Sequence, residues 1–220
     1  MKNILIVGSN SFVAKHTVQK LQELSFNCIL SSRSSGDQSL HLDMEDENSI
    51  VEFCKSNSNL FIDGILFFQG INPSKNIKEM TSDHFMKMMS VNLIGPSLLL
   101  KYFHKNINAG AMLLFISSIA AQKGSYDPSY AAAKAGINGL MQTIANEFPA
   151  LRVNSISLGL VEGSPVYNQM TPDFRKKHFD RMNGKFIQPD QVSTAIADLL
   201  ENPSINRTTI NLDGGSSNPA

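Results

Sequence analysis

A chain of 220 residues with 42% hydrophobic side chains is long enough to bury a full core, and a single domain spanning 1–220 is expected. Its 19 basic and 19 acidic side chains cancel, which leaves no net field to favour nucleic acid, an anionic membrane surface or a polycationic partner. Met1-Lys2-Asn3 runs straight into four apolar residues and a turn, too short for a signal peptide or a membrane span, so a cytoplasmic location is expected.

The first apolar run, residues 4–7, reads as a strand buried on both faces. It ends in Gly8-Ser9-Asn10-Ser11-Phe12-Val13-Ala14, which opens into a helix with Val13, Val18 and Leu21 on one face. Such a loop offers backbone N–H groups and a helix N-terminus to a pyrophosphate where small residues allow approach. Gly8, Ser11 and Ala14 are the small positions, with Phe12 and Val13 between them. A plain strand-to-helix turn has the same look, because Gly8 is the only true glycine of the loop.

A second strand at residues 28–30 continues into Ser31-Ser32-Arg33-Ser34. A site selecting NAD places an acidic side chain here for the ribose 2′-hydroxyl. The chain instead offers an arginine fork among hydroxyls, so Ser32 and Arg33 point to the 2′-phosphate of NADP(H); a solvated surface arginine is the bland alternative. Only residues 34–39 precede a short run at 40–42, too few for a parallel crossover, so a loop and a weak edge strand are expected there. Asp43 then either accepts a hydrogen bond from an adenine amino group or caps the helix starting near Glu45.

Helical spacing marks Ile50, Val51 and Cys54, then residues 85–102, then Ile137, Leu140, Ile144 and Phe148, then Val192, Ile196 and Leu199. Apolar strands at 64–68, 111–117, 153–157 and 208–212 alternate with them. The alternation defines an α/β fold, a Rossmann-like doubly wound parallel sheet of about seven strands with helices on both faces and ligands beyond the strands' carboxyl ends. Cys28 and Cys54 read as buried free thiols, and the five histidines show no ligand spacing, so no metal site is expected.

Tyr130 and Lys134 stand one helical turn apart and project from one face. A tyrosine working as acid or base near neutrality needs its pKa lowered from about 10, and an ammonium about 4 Å away supplies roughly 4 kcal/mol at an effective dielectric near 20. Lys134 is the candidate for that effect.

Through Ser129-Tyr130-Ala131-Ala132-Ala133-Lys134-Ala135-Gly136 and the segments around it, the chain resembles the short-chain dehydrogenase/reductase family over essentially its whole length. Tyr130-Ala-Ala-Ala-Lys134 matches that family's Tyr-x-x-x-Lys motif. Ile116-Ser117-Ser118-Ile119-Ala120 is similar to the segment holding the family's catalytic serine, with Ser118 favoured by local motif and Ser117 by distance from the tyrosine. Val91-Asn92-Leu93 resembles the segment of the active-site asparagine. Arg152-Val153-Asn154-Ser155-Ile156 with Gly159-Leu160-Val161 resembles the segment that meets the nicotinamide carboxamide through Val161, and Leu212-Asp213-Gly214-Gly215 resembles the last strand and turn.

The departures are specific as well. Phe12 stands at the family's middle glycine; a register with Ser11 and Ala14 in place of glycines, closer to the family's extended members, keeps the phenylalanine off the phosphates. Phe67-Phe68-Gln69-Gly70 replaces Asn-Asn-Ala-Gly, placing Gln69 near the cofactor ribose while Gly70 still permits close approach. The resemblance implies hydride transfer between NADP(H) and a carbonyl or secondary alcohol, with Tyr130 as general acid/base, Ser118, Lys134 and Asn92 assisting, and a homodimer or homotetramer. Residues 163–187 stand as a substrate loop, with Tyr167, Met170, Phe174, Phe179 and Met182 as an apolar lid. Arg175, Lys176, Lys177 and Arg181 either greet an anionic substrate or solvate a helix face. The weakened glycine loop also allows a non-catalytic redox sensor, and the extended-type register an epimerase or dehydratase using bound nicotinamide.

Overall fold

A computed structural model describes residues 1–34 and 39–216. In its interior lies β1 (Asn3–Val7), whose residues Ile4 to Val7 are at most 1% exposed. Ile4 and Ile6 join the core on one face of the sheet, and Leu5 and Val7 join the core on the other. That is the consequence of a two-residue side-chain period in a strand covered on both sides.

The sheet is parallel and seven-stranded, in the order β3-β2-β1-β4-β5-β6-β7. β2 (Asn27–Ser32) and β3 (Leu40–His41) lie on one side of β1; β4 (Ile62–Phe67), β5 (Ile107–Ser118), β6 (Arg152–Leu158) and β7 (Thr209–Leu212) lie on the other. The Rossmann-like doubly wound sheet is therefore observed. β3 is the two-residue edge strand, paired through Ser31 with Leu40 and Ser32 with His41. Residues 35–38 of the expected 34–39 loop fall outside the described residues. β5 begins at Ile107 rather than residue 111, across an irregular register opposite Ile62 and Gly64.

α1 (Phe12–Glu23) and α9 (Pro189–Glu201) cover one face; α2 (Glu47–Ser56), α4 (Gly95–Phe103) and α6 (Pro128–Glu147) cover the other. The helix expected over 85–102 is three pieces: α3 (Ser82–Met89), a π turn over Ser90–Ile94, and α4. After β1 the chain winds first to β2 and later back to β4, and this reversal leaves a crevice beyond the carboxyl ends of β1 and β4.

Two expectations need correction. Cys54 is buried, but Cys28 is only partly so; burial pushes each thiol up to about 11, so both stay protonated and inert near neutrality. The apolar lid also divides. The short helix α5 (Ala120–Lys123) precedes α6, whereas the 163–187 segment holds α7 (Pro165–Gln169) and α8 (Pro172–Arg181). Met182 is 1% exposed and packs beneath Gly214, while Phe174 and Phe179 remain exposed.

Candidate active site

The reactive helix starts where Asp127 caps it. One carboxylate oxygen accepts from the N–H groups of Ser129 (3.0 Å) and Tyr130 (3.2 Å), and Pro128 occupies the first turn. Tyr130 thus falls in that turn, with Lys134 one turn further along the same face. The Lys134 side chain is 4% exposed, its Nζ donates to the Ile116 carbonyl at 2.8 Å, and it lies 5.7 Å from the centre of the Tyr130 ring. Burial pushes its pKa down to about 8.

The Ser118 hydroxyl lies beside the Tyr130 phenol and favours its ionised form. Tyr130 keeps part of its surface accessible, yet the protein around it is dense enough that burial raises its pKa; the Ser118 hydroxyl opposes this without reversing it. The expected lowering of the phenol by Lys134 is not what this geometry gives. The hydrogen bond shown for the ammonium goes to Ile116 rather than to the phenol, and burial favours the uncharged amine.

The two serines separate cleanly. Ser117 is buried, and its hydroxyl donates to the Lys134 carbonyl at 3.1 Å. Ser118 points the other way, as adjacent strand residues do, and its Oγ meets Tyr130 and accepts from the Ala120 N–H at 3.2 Å.

Asn92 sits in the π turn and is wholly buried. A π turn sends its N–H groups back five residues rather than four. The Asn92 Nδ2 donates to the Met88 carbonyl four residues back (3.0 Å) and to Ile71 (3.2 Å). Its Oδ1 is buried without a partner among the described residues. A Cβ on Gly70 would stand 3.0 Å from that oxygen and 3.5 Å from Lys134 Nζ, so the missing side chain leaves a niche that both atoms border.

The lysine's burial has a measurable consequence. Between about pH 8 and the ordinary lysine value of 10.5 the unfolded chain holds a proton that the folded chain does not, so stability rises with pH across that window. Below it the penalty is fully present, about 3 kcal/mol at most. Lys134→Met is expected to melt no lower than the parent at pH 7, the gain being partly offset by the lost bond to Ile116, about 1–3 kcal/mol. A melting temperature several degrees lower, read by circular dichroism, would count against this.

At the nucleotide end, Gly8 has φ +79°, and a Cβ there would stand 2.6 Å from the Gln69 backbone nitrogen. The Ser11 hydroxyl accepts from the Ala14 N–H at 3.1 Å and caps α1. Phe12 and Val13 are the first helical residues, and no carbonyl within the helix can reach their N–H groups. The Phe12 ring packs edge-on to His16 at 4.9 Å, and its tip would be 3.3 Å from a Cβ on Gly163. It thereby bridges the loops after β1 and β6, and only its backbone is left for an anion.

Ser32 is buried, accepts from Asn10 Nδ2 (3.1 Å) and donates to the Ser34 carbonyl (2.7 Å), so its proton is committed and the expected donation from Ser32 is not free. Asn10 also donates to the Ser34 hydroxyl at 3.0 Å, and Arg33 is exposed beside it. Asp43 does not cap α2; that cap is Asp46, which accepts from Asn48 N–H, while Asp43 accepts from Glu45 N–H at 3.0 Å. Gly159 N–H donates to Leu212, and a Cβ there would stand 2.9 Å from Asp213 Cα. The Val161 side chain is 3% exposed and belongs to the core, beside a bridge to Ile187.

These features test whether a dinucleotide suits the crevice. Gln69 Oε1, at the end of β4 beside Gly8, is another buried acceptor without a partner among the described residues. With the cradle at Gly8 and the open N–H groups of Phe12 and Val13, the set fits hydroxyl and phosphate groups of a dinucleotide. Arg175 stacks on Tyr167 at 4.2 Å and donates from one terminal nitrogen to the Tyr167 and Met170 carbonyls, while its Nε is buried without a partner among the described residues. Lys176 is paired with Asp180.

Sequence reasoning missed Asn10, the π turn and a buried pair between His84 and Asp127. Asp127-Pro128 is a helix-start signal that points to the cap. Nothing in the sequence pairs it with His84. Among the described residues no helix is long and apolar enough to cross a membrane, and no cluster of His, Cys, Asp or Glu suits a metal.

Comparison with known proteins bears on the family and the fold. The family described as Enoyl-(Acyl carrier protein) reductase matches residues 16–217. The chain is 28% identical over 220 residues to a 3-oxoacyl-[acyl-carrier-protein] reductase of Mus musculus, covering 96% of this chain and 86% of that one. It is 29% identical over 185 residues to Carbonyl reductase family member 4 of Xenopus laevis, covering 80% and 76%. A short-chain dehydrogenase/reductase from Serratia marcescens superposes with a TM-score of 0.89 at 18% identity, covering 99% and 98%. A small-chain dehydrogenase in complex with NADPH does so at 0.84 and 21%, covering 98% of each. At those identities the superpositions speak to the fold.

The chain belongs to the short-chain dehydrogenase/reductase family. Its members are oxidoreductases that bind a nicotinamide cofactor and act on small molecules.

Proposed function

We propose that the protein is an NADP(H)-dependent carbonyl reductase in which Tyr130 is the general acid. The observation that carries this is the meeting of the Tyr130 and Ser118 hydroxyls beside Lys134, at the crevice end of β5. Bound reduced nicotinamide supplies a hydride to the carbonyl carbon. Ser118 holds the carbonyl oxygen and Tyr130 protonates it. A phenol whose pKa is raised is a weaker acid but keeps its proton at neutral pH, and it can still protonate the far more basic alkoxide that hydride addition forms. Lys134, with a pKa of about 8, can lose and regain a proton near neutrality, and the niche beside Asn92 Oδ1 supports a path from it to solvent. A sensor without turnover has no use for these four side chains in one place.

The NADP(H) reading rests on Arg33 and the hydroxyls around Asn10, with no carboxylate at the end of β2. Ser34 rather than Ser32 is the hydroxyl able to donate beside Arg33. Arg33→Ala is expected to raise the KM for NADPH about 10- to 100-fold, the worth of a charge-assisted hydrogen bond, and to leave the KM for NADH alone. Equal change for both cofactors, or none for NADPH, would refute the preference.

The function is tested by following NADPH oxidation across ketones and aldehydes. 3-Oxoacyl thioesters come first, on the named activity of the mouse relative. Turnover of one carbonyl class is expected; NADPH binding without any turnover would favour the sensor. Met86 and Ile94, exposed on the helix running from α3 to α4, support the expected pairing of copies along it.

A further inference from the structure

Resting on the functional reading above, we infer that His84 and Asp127 form a buried clip that positions Tyr130 and Lys134 against Asn92. Asp127 is fully buried and His84 nearly so, with His84 Nε2 2.7 Å from Asp127 Oδ2. Capping a helix needs one carboxylate oxygen. Asp127 Oδ1 does that alone, taking Ser129 N–H, Tyr130 N–H and the Ser129 hydroxyl.

Oδ2 serves another purpose. It accepts from His84 on α3 and from the Lys75 N–H at 3.1 Å, in the loop that follows Gly70. An ionised carboxylate only accepts, so His84 Nε2 is the donor, and the bond is charge-assisted in a site from which water is excluded. His84 stands in the first turn of α3, whose Thr81 cap accepts from its N–H at 3.2 Å. The same run of helix carries Asn92 seven residues beyond Phe85, in the π turn. One buried contact thus joins the first turn of the helix bearing Tyr130 and Lys134 to the first turn of the run bearing Asn92. The Lys75 bond ties the loop after Gly70, one wall of the niche, to the same carboxylate. Neither His84 nor the second oxygen of Asp127 touches the reacting groups, so the pair is a positioning device.

The test compares His84→Ala, His84→Gln and the parent on a carbonyl that the parent reduces, with thermal melting and NADPH affinity read alongside. Gln can donate where His84 does. His84→Ala is expected to lower kcat about tenfold with KM and NADPH affinity held within about twofold, since small misplacements of reacting groups are costly. His84→Gln is expected to recover most of that loss. A lowered melting temperature with kcat unchanged at 25 °C would mean a structural pair only and would overturn the proposal, as would failure of Gln to rescue. If the parent reduces no carbonyl, the functional reading fails by itself. The clip is then decided by hydrogen exchange: amides 129–134 should exchange at least tenfold faster, roughly, in His84→Ala and recover in His84→Gln. Unchanged exchange would overturn it.

Discussion

Tyr130→Phe is expected to lower kcat by about 10²- to 10⁴-fold, the range a positioned proton donor contributes, while NADPH affinity stays near that of the parent. The substitution removes one oxygen and keeps the ring, so packing around α6 is preserved. What is lost is the phenol proton beside Ser118. Because Lys134 bonds to Ile116 and not to the phenol, its position survives the change, and residual turnover should show no rise in KM. Steady-state and single-turnover rates on a carbonyl taken from the panel read this directly. Parental turnover in the variant would remove Tyr130 from the chemistry.

Gly8→Ala is expected to destabilise the fold by about 2–5 kcal/mol and to abolish NADPH binding. A side chain at φ +79° costs roughly 1–2 kcal/mol by itself. The added Cβ would also stand 2.6 Å from Gln69 N and 2.8 Å from Gln69 Cα, both backbone atoms, and such overpacking costs about 1–3 kcal/mol. Neither neighbour is a flexible side-chain end, so relief means moving the strand end that carries Gln69 and Gly70. Urea unfolding and fluorescence titration with NADPH check the two halves of this expectation. Near-parental stability would show that the β1 turn tolerates what its geometry forbids.

How much of this was legible in the sequence follows from what each element depends on. The strands were legible because β1, β4 and β5 are covered on both faces, so their apolar runs are continuous. The division of Ser117 from Ser118 needed coordinates: a strand's alternation says that the two face apart, but not which one faces Tyr130. Asp43 looked like a helix cap because a carboxylate precedes a helical run, yet Asp46, three residues on, takes that place. The π turn at Asn92 is invisible to a period of 3.6, which sees only a long apolar face. Ser11 was read as a small residue beside a phosphate, whereas a hydroxyl in that position satisfies a helix N–H first. The phenol's raised pKa was missed because a pairwise sum of charges leaves out burial, which acts on Tyr130 and Lys134 together.

Hydride delivery to a carbonyl whose oxygen is protonated by Tyr130 is the central proposal. Its most direct test is a reaction run with NADPH deuterated at the nicotinamide C4 position, with the alcohol product analysed by mass spectrometry. Deuterium on the former carbonyl carbon, formed at the parent's rate and nearly lost in Tyr130→Phe, is the expected result. NADPH bound with no labelled alcohol from any carbonyl tested would contradict it.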